Sequence, residues 1–279
     1  MAGKARADDL RLVSSDNLSP ASASQTVSEP RQLAIQVESA TLRYPIGPLV
    51  RGSLKSTLFS FLGHRENSPK PIYVDAVRDL NLSISHGERV ALIGRNGSGK
   101  STLLRALGGI YPLKSGRVRV VGQIGSLLDI GLGFEIEATG RENIYYRGMA
   151  MGFSKRKIRV VEKEIIEFAD LGDFIDLPMR TYSAGMCVRL GFAVSTQFSP
   201  DILLVDEVFG AGDASFAQRA IQRMMAIVNR AGIVVIATHD LELVQKICTR
   251  VIWLQHGEII RDGLPSTVIP HYLQSARGQ

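Results

Sequence analysis

Leu33, Ile35 and Val37 alternate with polar neighbours, the period of a strand with one buried face, and Tyr44-Pro45 followed by Gly47-Pro48 marks its end. Between Arg51 and Gly63 the period lengthens: Leu54, Leu58, Phe61 and Leu62 fall at i, i+4, i+7 and i+8, one face of a short helix flanked by Arg51, Lys55 and Arg65. That face either meets a membrane surface or a partner, or packs on the protein's own core. From Tyr73 the strand period returns in Leu80, Leu82 and Ile84, a His86-Gly87 turn follows, and Val90-Ala91-Leu92-Ile93 is then continuously apolar. An unbroken run of this kind suits a strand covered on both faces. It recurs at Ile202–Val205 and at Ile233–Ile236, with helical stretches between, so the pattern predicts an α/β fold built on a doubly wound parallel sheet. The segment from Gly140 to about Gln197 reads as helical and charged, a mostly helical insertion over roughly 138–197. Residues 1–32 are rich in Ala, Ser, Asp and Arg with no sustained period; they are expected to form a disordered tail, leaving 33–279 as one domain.

Composition narrows the class. With 279 residues, 45% apolar and 22% charged, the chain is globular in type. Its longest apolar stretch, Ala231 to Ala237, is far short of the ~20 residues of a membrane-spanning helix. The first thirty residues have no apolar central region of the secretory kind, so the chain is expected to stay in the cytosol. Cys187 and Cys248 lie 61 positions apart without metal-ligand spacing and read as reduced thiols. A net charge of +6 permits anionic partners and selects none.

The strand ending at Ile93 runs into Gly94-Arg95-Asn96-Gly97-Ser98-Gly99-Lys100-Ser101-Thr102, a G-x-x-x-x-G-K-[ST] phosphate loop set between a strand and a helix. Gly94, Asn96, Gly97, Ser98 and Gly99 let backbone N–H groups converge on an oxyanion, and the helix opening at Lys100 adds its positive end. Lys100 is expected to reach the β- and γ-phosphates, and the Ser101 hydroxyl to hold Mg²⁺, with Thr102 beside it. Leu103, Leu104 and Leu107 anchor the helix and Gly108-Gly109 stops it. Asp206 ends the second buried run and is expected to hold the metal; adjacent Glu207 points elsewhere and can polarise an attacking water. His239, 32 residues beyond Glu207 at the tip of the third run, can donate to the γ-phosphate.

These residues, with Tyr182-Ser183-Ala184-Gly185-Met186 placed so that Ser183 precedes Asp206 by 23 positions, resemble the ATP-binding subunits of ABC transporters from about Leu33 onward. The resemblance implies a P-loop NTPase core of ABC type with an antiparallel β part and the helical insertion. It also implies a homodimer that sandwiches two ATP molecules, each between one copy's phosphate loop and the Ser183 and Gly185 of the other. Tyr182, Ala184 and Met186 depart from the family's commonest LSGGQ, while the serine and second glycine remain. The variant signature, the run Leu127–Phe134, Thr139-Gly140-Arg141-Glu142-Asn143-Ile144, Asp206-Glu207-Val208 and Gly212-Asp213 resemble the bacterial polysaccharide-export branch. That branch implies an ATP hydrolase at the cytoplasmic face of the inner membrane, driving a separate permease that exports lipid-linked O-antigen, capsule or teichoic-type polymer. The helix at 51–63 fits it, as a possible membrane contact. Members with a carbohydrate-binding extension carry a further domain, which is not expected in the span of this chain.

The family places an adenine-stacking aromatic where Tyr44 stands, with Tyr73 as the competitor. The family commonly has a glutamine between the phosphate-loop helix and Thr139; Gln123, in the strand-like stretch Gly122-Gln123-Ile124, comes too early for that position, and Asp129 and Glu135 are the candidates to replace it. The cations of Lys155-Arg156-Lys157-Arg159-Lys163 alternate with Glu162, Glu164 and Glu167, which reads as a solvated face held by i, i+4 pairs rather than a nucleic-acid patch. Export of a drug or another lipid, a soluble ABC-type ATPase acting on nucleic acid, and a P-loop kinase are the competing readings.

Overall fold

The computed structural model describes residues 34–46, 72–128, 130, 133–206 and 214–277. The tail at 1–32, the helix at 51–63, Asp129 and Glu207 lie outside the described residues.

Nine strands form two sheets among the described residues. The first is antiparallel, in the order β2-β1-β4, from β1 (Ala34–Ile46), β2 (Ile72–Ser85) and β4 (Ser115–Val121). The second has the order β5-β6-β7-β3-β8-β9, from β3 (Arg89–Ile93), β5 (Ile124–Leu127), β6 (Ile202–Asp206), β7 (Ile233–Ala237), β8 (Arg250–Gln255) and β9 (Glu258–Gly263). It is parallel except for the β8–β9 hairpin.

β1 shows how the chain departs from simple alternation. Ile35 and Val37 face the core, and so do Ala40 and Leu42, one position out of phase. The change of phase is made by a bulge at Ser39, with φ 44°. A second bulge at Asp79, φ 40°, lies on the facing strand β2, and side chains hold the pair: the Asn81 carboxamide oxygen accepts from Ser39 N–H at 2.8 Å and the Thr41 hydroxyl from Asp79 N–H at 3.1 Å. The sequence places the end of this strand at Tyr44-Pro45, yet β1 continues to Ile46. Its pairing with β4 stops at Thr41, so Pro45 sits on a stretch bonded on one side only, where a missing N–H costs no ladder bond.

The continuous apolar runs are explained by two cores. Val90 and Leu92 point, with Ile202, Leu204, Ile233 and Val235, onto the antiparallel sheet and α1 (Lys100–Leu107). Ala91 and Ile93 point, with Leu203, Val205, Val234 and Ile236, onto α5 (Ala214–Arg230), α6 (Leu241–Ile247) and α7 (Pro265–Arg277). A third core joins α2 (Gly140–Ala150), α3 (Lys155–Ala169) and α4 (Ala184–Ser195) through Ile144, Ile158, Ile165, Leu190 and Val194. Each of these three helices opens on a hydroxyl cap, Thr139, Ser154 and Ser183 respectively. Among the described residues no helix is long and apolar enough to cross a membrane.

Candidate active site

The phosphate loop is pressed against its surroundings. Gly94 has φ 149° and Gly99 φ 105°, and a Cβ would overlap the Leu254 carbonyl at the first and the Ala76 carbonyl at the second, so glycine is required by both backbone angle and space. Ser98 N–H donates to the Arg95 carbonyl at 3.1 Å, and the Ser98 carbonyl accepts from Gly257 N–H at 3.0 Å, tying the loop to the β8–β9 turn.

Helix α1 then starts without the side-chain cap that α2, α3 and α4 possess. Gly99 is its N-cap, and the first turn contains no acidic residue. Its leading N–H groups and positive dipole end are thus offered to an external anion. The Ser98 hydroxyl is buried without a hydrogen-bond partner, a further spare polar group in the same loop. Lys100 Nζ folds over the loop, donating to the Gly94 carbonyl at 2.8 Å and the Arg95 carbonyl at 3.2 Å. Burial holds its pKa below the ordinary lysine value, opposed by the charge of Asp206.

The strand order β6-β7-β3 sets the rest. Asp206 ends β6, in register with Ala237 of β7, and Thr238 N–H donates to the Leu92 carbonyl of β3 at 3.3 Å. His239 is exposed just beyond, on the middle strand of the three, between the tips that carry Lys100 and Asp206. Asp240 next to it caps α6, accepting from Leu243 N–H at 2.9 Å. The C-terminal edge of the parallel sheet therefore assembles the loop, the lysine, a carboxylate and a histidine. Ser101 and Asp206 are a hydroxyl and a carboxylate, hard oxygen donors of the kind Mg²⁺ takes together with water and phosphate, so the donor set fits that ion.

Tyr44 and Tyr73 fall at adjacent rungs of the β1–β2 ladder, opposite Val74 and Pro45, and so on opposite faces. Arg43, Tyr44, Thr102, Arg105, Tyr111 and Pro112 line one cleft beside α1. Tyr73 instead stacks loosely under the Arg43 guanidinium, 6.0 Å from its centroid. Arg105 and Tyr111 were not singled out by the sequence reading. The signal was the polar face of α1, Thr102 and Arg105 at i and i+3, opposite the leucines.

Ser183 stands apart from this edge, in the helical cluster. Its hydroxyl caps the helix, accepting from Met186 N–H at 3.2 Å, and around Gly185 an added Cβ would meet only that hydroxyl, at 3.9 Å, so the space beside Gly185 is open. The exposed Glu135 carboxylate accepts from Glu137 N–H at 3.2 Å, and the Asn143 carboxamide holds the loop through Glu135 N–H at 2.8 Å and the Glu135 and Thr139 carbonyls, both at 2.9 Å. On α3 the i, i+4 pattern is realised in Lys163–Glu167, at 3.7 Å, but Glu162 turns inward to Arg141 and Tyr145, both at 2.6 Å.

Residues 77–210 match the family model described as ABC transporter. The O-antigen export system ATP-binding protein RfbE of Yersinia enterocolitica is 40% identical over 230 residues, covering 81% of this chain and 96% of that protein. The chain belongs to the ABC transporter ATP-binding family. A further relative, the O-antigen export system ATP-binding protein RfbB of Myxococcus xanthus, is 41% identical over 80% of the chain but 51% of its own length, so the chain spans about half of that protein. A solved dimeric ATP-binding cassette bound to ADP and Pi superposes with TM-score 0.61 at 21% identity, over 83% of this chain and 98% of that one, which gives the ABC cassette fold to the two sheets and helical cluster described above.

Proposed function

We propose that this chain is the ATP-hydrolysing subunit of an exporter of lipid-linked polysaccharide, O-antigen, capsule or teichoic-type polymer, acting as a homodimer on a separate permease at the cytoplasmic face of the inner membrane. The likeness to the O-antigen export protein RfbE over nearly that protein's full length carries the reading. The site supports the chemistry. The uncapped end of α1 and Lys100 bind the phosphates, and Tyr44 stacks on the base. Ser101 and Asp206 would hold Mg²⁺, which when bound neutralises phosphate charge. Glu207 takes a proton from the attacking water and His239 donates to the γ-phosphate, holding that water in line. The tip of α4 at Ser183 and Gly185, open beside the glycine, completes the site of a second copy with its own positive helix end, which accounts for their place outside the sheet edge. Closing on ATP and reopening after hydrolysis supplies the stroke.

The test is reconstitution of the chain in vesicles with the membrane permease that co-purifies with it. Export of lipid-linked glycan that needs ATP and stops on Lys100→Ala supports the reading; ATP hydrolysis that neither responds to lipid-linked glycan nor moves it overturns the assigned substrate.

A further inference from the structure

Phe216, Arg219 and Arg223, at i, i+3 and i+7 of α5, share one helix face, and that face meets both α3 and α4. Phe168, one residue from the end of α3, lies 5.6 Å from Phe216 and 6.0 Å from Phe192 of α4, ring centre to ring centre. Arginines enclose the rings. The Arg223 guanidinium is 4.2 Å from the Phe168 centroid, Arg219 lies 5.7 Å from both Phe168 and Phe216, and Arg189 lies 5.4 Å from Phe216.

The same three cations are held at their polar ends. Asp170, which closes α3 in a left-handed conformation at φ 52°, receives Arg189 at 3.1 Å and Arg219 at 3.3 Å. Arg189 also donates to the Ala169 carbonyl at 2.8 Å. Arg223 donates to the Gln197 carboxamide oxygen, whose amide donates to Glu164 at 2.6 Å. Burial holds the Arg223 pKa below the usual arginine value, as expected of a cation whose water has been replaced by a ring.

The positions of these helices give the contact its meaning. α5 begins eight residues after Asp206, and Arg189 lies six residues beyond Ser183, about 9 Å along α4. One clamp thus joins the helix behind the carboxylate edge to the helix whose tip carries Ser183. A change of angle between them must break directional ion pairs and cation–ring contacts together. We infer that Arg219 and Arg223 are positioning residues which hold α4 at the angle that lets Ser183 reach the nucleotide of a second copy. The inference rests on the ATP-sandwich reading above.

The experiment compares Arg219→Met/Arg223→Met, which keeps the apolar stems, with Arg219→Lys/Arg223→Lys, which keeps the charges. Both are placed in a full chain carrying Glu207→Gln. Two quantities are read: affinity of the dilute single chain for MgATP, and the ATP-dependent dimerisation constant. The methionine pair should bind ATP as its parent does and dimerise at least about ten-fold more weakly, with the lysine pair, which keeps charge but not the planar stack, intermediate between it and the parent. Equal dimerisation in all three overturns the inference, as does a loss of ATP affinity and thermal stability in step with dimerisation, which marks mere structural support. If the Glu207→Gln parent itself stays monomeric with ATP, the sandwich reading has failed instead, and the comparison separates the two.

Discussion

The Tyr182 hydroxyl occupies the space where a side chain on Gly140 would begin, and donates from there to the Phe174 carbonyl at 2.6 Å. This explains a departure noted in the sequence: the tyrosine standing where the family commonly has leucine is accommodated because the residue opening α2 has no Cβ. Gly140→Ala should destabilise the chain by about 1–3 kcal/mol through overpacking, and Tyr182→Phe in the same chain should recover part of that loss by removing the overlapped atom. Denaturant unfolding of the two single variants and the double one measures the coupling; additive effects would contradict the contact.

The two tyrosines on the β1–β2 ladder are separable. Tyr44→Ala should weaken ATP binding by about two- to ten-fold, the range of one lost aromatic stacking contact, while Tyr73→Ala should leave it unchanged because Tyr73 is on the other face of the ladder and does not line the α1 cleft. Titration with a fluorescent ATP analogue distinguishes them, and equal losses would remove Tyr44 from the adenine site.

Much of this was readable in the chain. In the phosphate loop Gly94 and Gly99 each answer to a close contact and Gly97 to a backbone angle of φ 79°, so the motif transmits almost without context. The three apolar runs translate directly into strands because a strand buried on both faces has no alternation to disguise. What stayed illegible depends on partners distant in sequence. The bulges at Ser39 and Asp79 shift the apolar phase by mutual support across two strands, and neither residue type announces it. Pro45 reads as a stop until the pairing shows that β4 has already left that strand. The arginine clamp joins residues from 164 to 223, of which only Glu164 belongs to the run read as a solvated face, and Asp170, Arg189, Arg219 and Arg223 carry no local signal of one another. The Ser183 tip and the Lys100 edge are far apart in sequence and on different parts of the fold, so only family resemblance linked them.

The two thiols should differ in reactivity. Burial pushes the Cys248 thiol up to about 12, and raises the half-buried Cys187 as well. A thiol raised in the folded state stabilises the fold fully below its unfolded value of about 8.5 and ceases to do so as pH climbs toward the folded value, so Cys248 contributes at neutral pH and its contribution is lost in strong alkali. Native chain treated with a disulfide-exchange reagent at pH 8 should label at Cys187 first, with Cys248 reacting only after denaturant is added. Prompt modification of Cys248 in the native chain would contradict its burial.

The most direct measurement is the solution mass of the Glu207→Gln chain with and without MgATP, repeated after Ser183→Arg. The account predicts a monomer that doubles in mass and retains ATP only when nucleotide is present, and a Ser183→Arg form that still binds ATP as a single chain but no longer pairs. A chain that stays monomeric with ATP, or that pairs equally well with arginine at position 183, would contradict it.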